Sequence, residues 1–148
     1  MHKLFLLSLS TILAIGAAEA QAKGMKWMDA SGAGLPAGAQ MAVVSGDPSK
    51  AGPFVIRAKF PANYTVPPHH HPGDEVVRVL NDASLSYGMG DKVDTANAGT
   101  LTKGSHVTMQ AGMNHWVTTS APTEIQVSGT GPFAIVYVNP ADDPRTKK

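Results

Sequence analysis

Cysteine is absent from the 148 residues. Neither a disulfide framework nor a thiolate metal site is therefore available, and any metal must be held by His, carboxylate or amide groups. A strong charge of one sign is missing too: 12 Lys and Arg stand against 11 Asp and Glu, leaving a formal charge of +1. With no Lys/Arg cluster, the electrostatic footprint of a nucleic-acid binder is not there. The chain holds no nucleophile elbow, no Gly-rich phosphate loop and no dinucleotide fingerprint; Gly88-Met89-Gly90 lacks a following helix and reads as a turn. No segment joins length to a 3.6-residue period, and no internal repeat is visible.

Only one long apolar run occurs, LFLLSLSTILAI at residues 4–15. It follows the basic start Met1-His2-Lys3 and precedes Gly16-Ala17-Ala18-Glu19-Ala20-Gln21-Ala22, which has small residues in an A-x-A pattern. That is the layout of a secretory signal peptide, cut after Ala20 or after Ala22. The run is shorter than the roughly 20 residues that span a bilayer. The expectation is a secreted protein, periplasmic if the source is Gram-negative, with no membrane attachment once residues 1–22 are removed.

Hydrophobic residues make up 43% and charged residues 16%, a globular balance for a chain of one-domain length. Residues 23–40 are rich in Gly and Ala and read as an irregular N-terminal arm, with Trp27 as its anchor. From Met41 the texture changes to short apolar or alternating runs set off by Gly, Pro, Asn and Asp. Strands are predicted at 41–44, 54–60, 64–71, 75–80, 83–89, 101–103, 106–110, 115–119, 124–128 and 133–138. In the second of these, Phe54, Ile56, Ala58 and Phe60 share one face, and Val55, Arg57 and Lys59 share the other. This pattern predicts an all-β sandwich or barrel over 41–139, followed by a loose polar tail at 140–148.

Five of the six histidines lie outside the leader, and three of them are adjacent. On an extended backbone His69 and His71 point one way and His70 the other. After the Pro72-Gly73 turn, Glu75 shares a face with Val77 and Val79 and can swing back toward the two imidazoles. Downstream, the Gly112-Met113-Asn114 turn delivers His115 to the start of a strand. Two imidazoles on one face, a carboxylate across a turn and a distant imidazole make a candidate ligand set for Fe, Mn, Zn, Ni or Cu. Four protein ligands leave room for a substrate only if coordination expands, which favours Mn or Fe over a closed tetrahedral zinc site. The competing reading is a solvated histidine tract that binds metal adventitiously.

The pattern resembles the cupin superfamily. His69-His70-His71-Pro72-Gly73-Asp74-Glu75 matches the H-x-H-x3-E core of its first motif, with Asn63 and Asp82 standing where that motif has glycine. Gly104, Gly112 and His115 match its second motif, with Gln110 in place of Pro and Thr119 in place of Asn. The match covers about residues 41–139 and looks closest to small, exported, single-domain bacterial members, which carry segments like GDPSK, HPGDE, YGMGDK and YVNPADDP. The resemblance implies a jelly-roll barrel with one divalent metal in its mouth, held by His69, His71, Glu75 and His115. It also implies chemistry of dioxygenase, isomerase or lyase type on a small molecule, with Glu75 as a base if it dissociates during turnover. The alternative is a non-catalytic protein that captures a small ligand or the metal itself. A homodimer, with the arm reaching across, is a further expectation from the family.

Tyr87 and Met89 are candidate pocket residues on the face they share with Leu85, although core packing is the plainer reading. His106 shares a face with Thr108 and Gln110 and is either a partner to the ligands or a surface residue. Trp116 should face away from His115 and pack. Arg57 and Lys59 could meet an anionic substrate if their face looked into the mouth.

Overall fold

The computed structural model describes residues 24–147; the leader expected at 1–22 lies outside them. Eleven strands form: β1 (Met28–Asp29), β2 (Gln40–Ser45), β3 (Gly52–Phe60), β4 (Tyr64–His70), β5 (Glu75–Val79), β6 (Leu85–Met89), β7 (Gly99–Leu101), β8 (His106–Met109), β9 (His115–Thr119), β10 (Thr123–Gly131) and β11 (Val136–Tyr137). They make two antiparallel sheets, ordered β1-β2-β3-β10-β5-β8 and β11-β4-β9-β6-β7. The inner faces close on one apolar core, the all-β jelly-roll arrangement.

Alternation builds that core. Phe54, Ile56, Ala58 and Phe60 of β3 are buried, as are Val77 and Val79 of β5 and Ile125 and Val127 of β10. The residues between them face out: Arg57 Nη1 lies 3.6 Å from Glu124 on the neighbouring strand, and Arg57 Nε donates to Gln126. Arg57 and Lys59 therefore do not reach the barrel mouth. The turn before β4 places Asn63 at φ 55, the left-handed conformation that Asn tolerates where glycine would otherwise stand.

Both ends of the described residues are more ordered than the sequence suggests. The arm contributes β1, which pairs with β2, and a 3₁₀ turn at Ser31–Ala33. Ala30, Leu35 and Ala39 enter the core. The Lys59 ammonium lies 4.0 Å from the centre of the Trp27 ring, so Trp27 is pinned by a cation–π contact. The tail folds into two 3₁₀ turns, Pro140–Asp142 and Pro144–Thr146, capped by the side chains of Asn139 and Asp143. The strand expected at 133–138 shrinks to Val136–Tyr137.

Trp116 turns to the face of β9 opposite His115 and is only 1% exposed. It fits because its cross-strand partner is Gly88, where any Cβ would overlap the indole. Gly88→Ala is expected to destabilise the chain by about 1–3 kcal/mol through overpacking. Gly32→Ala, where a Cβ meets nothing within 4 Å, should be near neutral. Urea unfolding of the two variants checks this.

No helix among the described residues is long and apolar enough to cross a membrane.

Candidate metal centre

His69 of β4 and His71 just past its end face inward because the strand slips. Tyr64, Thr65 and Val66 pair with Thr119, Thr118 and Val117, but His69 then pairs with His115. One extra residue on β4 is absorbed at Pro67-Pro68, a β-bulge that exchanges the two faces. Before it the even residues Tyr64 and Val66 are buried; after it His69 and His71 are. Without the bulge, strict alternation from the core residue Val66 would turn both imidazoles to solvent. Prolines donate nothing to a ladder and sit at such irregularities. Glu75 opens β5 on the face of Val77 and Val79, and His115 opens β9 on the face of Val117.

The three imidazoles meet, and Glu75, outside that cluster of three, touches it through His71. His69, His71, Glu75 and His115 are 3–5% exposed. The ring centres of His69 and His115 lie 4.3 Å apart, those of His69 and His71 4.9 Å, and those of His71 and His115 5.1 Å. One nitrogen from each imidazole lies within 4.8 Å of the other two, so the three histidines could hold a metal ion together. Glu75 stands beside them, with Oε2 3.1 Å from His71 Nε2.

Each ring is set by a backbone carbonyl. His69 Nδ1 lies 2.6 Å from Pro67 O, His71 Nδ1 2.7 Å from Ala134 O and His115 Nδ1 3.1 Å from Met113 O. A carbonyl only accepts, so each Nδ1 carries the hydrogen and each Nε2 keeps a lone pair. Fixing the tautomer through the far nitrogen is how metal-ligating imidazoles are oriented.

The electrostatics agree. Burial holds His69 well below its ordinary value, reinforced by the His115 and His71 charges, and it lowers His71 to about 4 and His115 in the same direction. Burial also pushes Glu75 up to about 8. Without a cation, three neutral imidazoles therefore face a protonated carboxyl, whose O–H can donate to His71 Nε2. Glu75 Oε1 is buried without a hydrogen-bond partner. Three lone pairs and an orphaned carboxylate oxygen, all dehydrated, suit a divalent cation, which would reward every one of them.

The site opens on a cavity of about 60 Å³ inside the barrel. Beyond those four residues its wall is entirely apolar, including Phe60, Val66, Met109, Phe133 and Ile135.

The other candidates are not brought there. His106 is exposed on the outer face of β8, its Nδ1 3.4 Å from Arg78, because Val107 and Met109 take the inner face. Tyr87 is half-buried against the core and crosses over Gly99, where a Cβ would strike its ring. Met89 pairs with His115 in register but is 45% exposed. His70 faces away, its Nδ1 3.1 Å from Asn114 Oδ1, while Asn114 Nδ2 donates to Asp91. Sequence reasoning missed Phe133, whose ring lies nearly parallel to His71 at 5.3 Å, and the Ala134 carbonyl. The Pro67-Pro68 pair was the available signal for the bulge.

No protein-family model matches the chain, and no curated protein matches it. Solved structures do. The polyketide cyclase RemF from Streptomyces resistomycificus superposes with a TM-score of 0.66 at 15% identity, covering 82% of this chain and 85% of that one. The DMSP lyase DddQ from Ruegeria pomeroyi DSS-3 gives a TM-score of 0.65 at 20% identity, covering 90% and 72%. An RmlC-like cupin from Shewanella frigidimarina NCIMB 400 gives 0.57 at 12%, covering 88% and 94%. Enzymes are thus among the structural neighbours. The two closed sheets and these likenesses show that the chain has the cupin fold.

Proposed function

We propose that this chain is an exported, mononuclear metal-binding cupin that does chemistry on a small molecule in the barrel cavity. The observation that carries the reading is the convergence of three carbonyl-locked imidazoles, with the buried Glu75 carboxyl against His71. His69, His71 and His115 would hold the ion through Nε2 and Glu75 through its carboxylate, with Mn or Fe favoured over Zn, Ni or Cu. A bound divalent ion would supply Lewis acidity toward a substrate oxygen, or redox chemistry if it is iron.

The chain's own residues narrow the rest. The apolar wall lowers the local dielectric and strengthens every charge interaction inside it. It offers no cationic partner for a second polar group, so the substrate should have an apolar body and a single oxygen-bearing end. A water needs about 10–15 Å³, so the cavity admits roughly four to six heavy atoms; a larger substrate would leave its remainder in the mouth. Apart from the three imidazoles that would hold the ion, Glu75 is the one side chain lining the cavity able to hold or return a proton, and it would do so on leaving the ion, which suits isomerase, lyase or dioxygenase chemistry. The wall's lack of any further acid or base also favours a second reading, capture of a small ligand or of the metal without turnover.

The test is to express the chain untagged with its own leader, map the mature N-terminus and measure its metals by mass spectrometry. One divalent ion per chain, starting at Gln21 or Lys23, is the expected result. The manganese-loaded protein should then relax bulk water protons strongly, because an open coordination position exchanges water. Weak relaxation would move the weight to the non-catalytic reading, and no bound metal after reconstitution would overturn the proposal.

A further inference from the structure

We infer that Arg145, in the C-terminal tail, is a positioning residue for the metal site; this rests on the metal-binding reading above. The link between β10 and β11, residues 132–135, has no regular structure yet forms one wall of the site. Phe133 stacks on His71, the Ala134 carbonyl accepts from His71 Nδ1, and Ile135 lines the cavity at 2% exposure. Besides the Ala134–His71 bond and the pairing of β11 with β4 that follows it, two bonds hold this strap. At its start Phe133 N–H donates to Pro48 O at 2.7 Å. At its end the Ile135 carbonyl accepts from Arg145 Nη2 at 2.8 Å.

The guanidinium is itself fixed. Its Nε and Nη2 each lie 2.8 Å from the two Asp143 carboxylate oxygens, a forked pair that orients a plane rather than a point charge. Its flat face lies against Gly34, where a Cβ would stand 3.1 Å from Cζ. Asp143, Arg145, the Ile135 carbonyl, the Ala134 carbonyl and His71 thus form one connected series from the tail to the ligand. Cutting it at Arg145 leaves the Ile135 carbonyl without its partner, loosens the strap between Pro48 and β11, lets the Ala134 carbonyl drift and releases the tautomer of His71. A surface ion pair with no such role would affect stability alone.

The experiment uses the chain expressed with its own leader, labelled with nitrogen-15 and stripped of metal. Long-range proton–nitrogen spectra of the wild type should show His71 as the Nδ1–H tautomer. In a Glu75→Met background, where no carboxyl O–H meets His71 Nε2, Arg145→Ala should show a mixture of tautomers; with Glu75 in place its affinity for Mn(II) or Co(II) should fall about tenfold, the lower end of the effect of groups that orient ligands. Arg145→Lys, which keeps a donor for Ile135 but loses the fork, should recover part of both. Tyr64→Phe, which removes the hydroxyl's bond to Pro36 O, should lower the melting temperature and move neither reading. An unchanged His71 tautomer when Arg145→Ala is made in the Glu75→Met background, with only the melting temperature lowered, would overturn the inference. Failure of the wild type to take metal would sink the metal reading instead, and the tautomer in the metal-free protein would still decide on Arg145.

Discussion

His115→Ala and His71→Ala are each expected to remove most of the thermal stabilisation that added metal confers on this chain. A ligand that binds only the folded state stabilises it by about 4 kcal/mol at about a thousand times its dissociation constant. For a domain of this size that raises the melting temperature by about 12 °C. Each variant removes one of three Nε2 lone pairs that lie within 4.8 Å of one another. Loss of a direct ligand should weaken binding by at least about a hundredfold, more than loss of the groups that merely orient one. That removes about 3 kcal/mol of the gain. The quantity to compare is the metal-induced shift, because a truncated buried imidazole also lowers the metal-free melting temperature by leaving a void. His106→Ala is the control: its ring is exposed on the outer face of β8, and it should show the full shift. Scanning calorimetry with and without Mn(II) decides. A full shift in His115→Ala would put the ion elsewhere.

What could be read from the sequence follows from the range of each interaction. Period-2 burial is local, so residues 54–60 announced β3, with Phe54, Ile56, Ala58 and Phe60 inward as the structure has them. The H-x-H pair, the acid after the Pro72-Gly73 turn and the distant His115 were legible because a metal demands particular side chains. The bulge that points His69 and His71 inward was harder, since it depends on how β4 registers against β9, more than 40 residues away in the chain. The strap and the tail were not legible at all. Their bonds to His71, Arg145 and Tyr137 end on the backbone carbonyls of Ala134, Ile135 and Gly34. A carbonyl is the same in every residue, so the partner carries no compositional mark. The Tyr137 hydroxyl bonds Gly34 O across 103 positions. Low-complexity Gly/Ala sequence in the arm and polar sequence in the tail looked loose because their order comes from contacts with each other's neighbourhood.

Glu75→Met is expected to make the metal-free protein more stable at pH 8 while reducing its metal affinity by at least about a hundredfold, as loss of a direct ligand should. The carboxyl is 5% exposed, and Oε1 has no partner. An apolar side chain of similar shape relieves that burial, and such exchanges are often neutral or stabilising by about 1–4 kcal/mol. The pH dependence identifies the cause. Glu75 is raised from 4.5 to about 8 by burial, so the folded state holds its proton where the unfolded chain has released it. Stability from this group is therefore present below about 4.5 and is lost as pH rises to about 8. The histidines have the opposite sign: lowered from 6.5, and to about 4 for His71, they give stability that is present above 6.5 and lost as pH falls. Between 4.5 and 6.5 the two effects oppose each other, and above 6.5 only the carboxyl acts. Wild-type protein in chelator should thus be most stable near pH 6.5 and lose about 2 kcal/mol by pH 8, at about 1.4 kcal/mol per unit. Glu75→Met should hold level over that window. Urea unfolding across the pH series measures both slopes; a wild-type curve flat from 6.5 to 8, or the same decline in the variant, would refute the assignment. A carboxyl kept in a dry apolar barrel at a cost to the metal-free fold makes sense only if a cation offsets that cost, so adding Mn(II) at pH 8 should return the wild type to a stability at or above that of the variant.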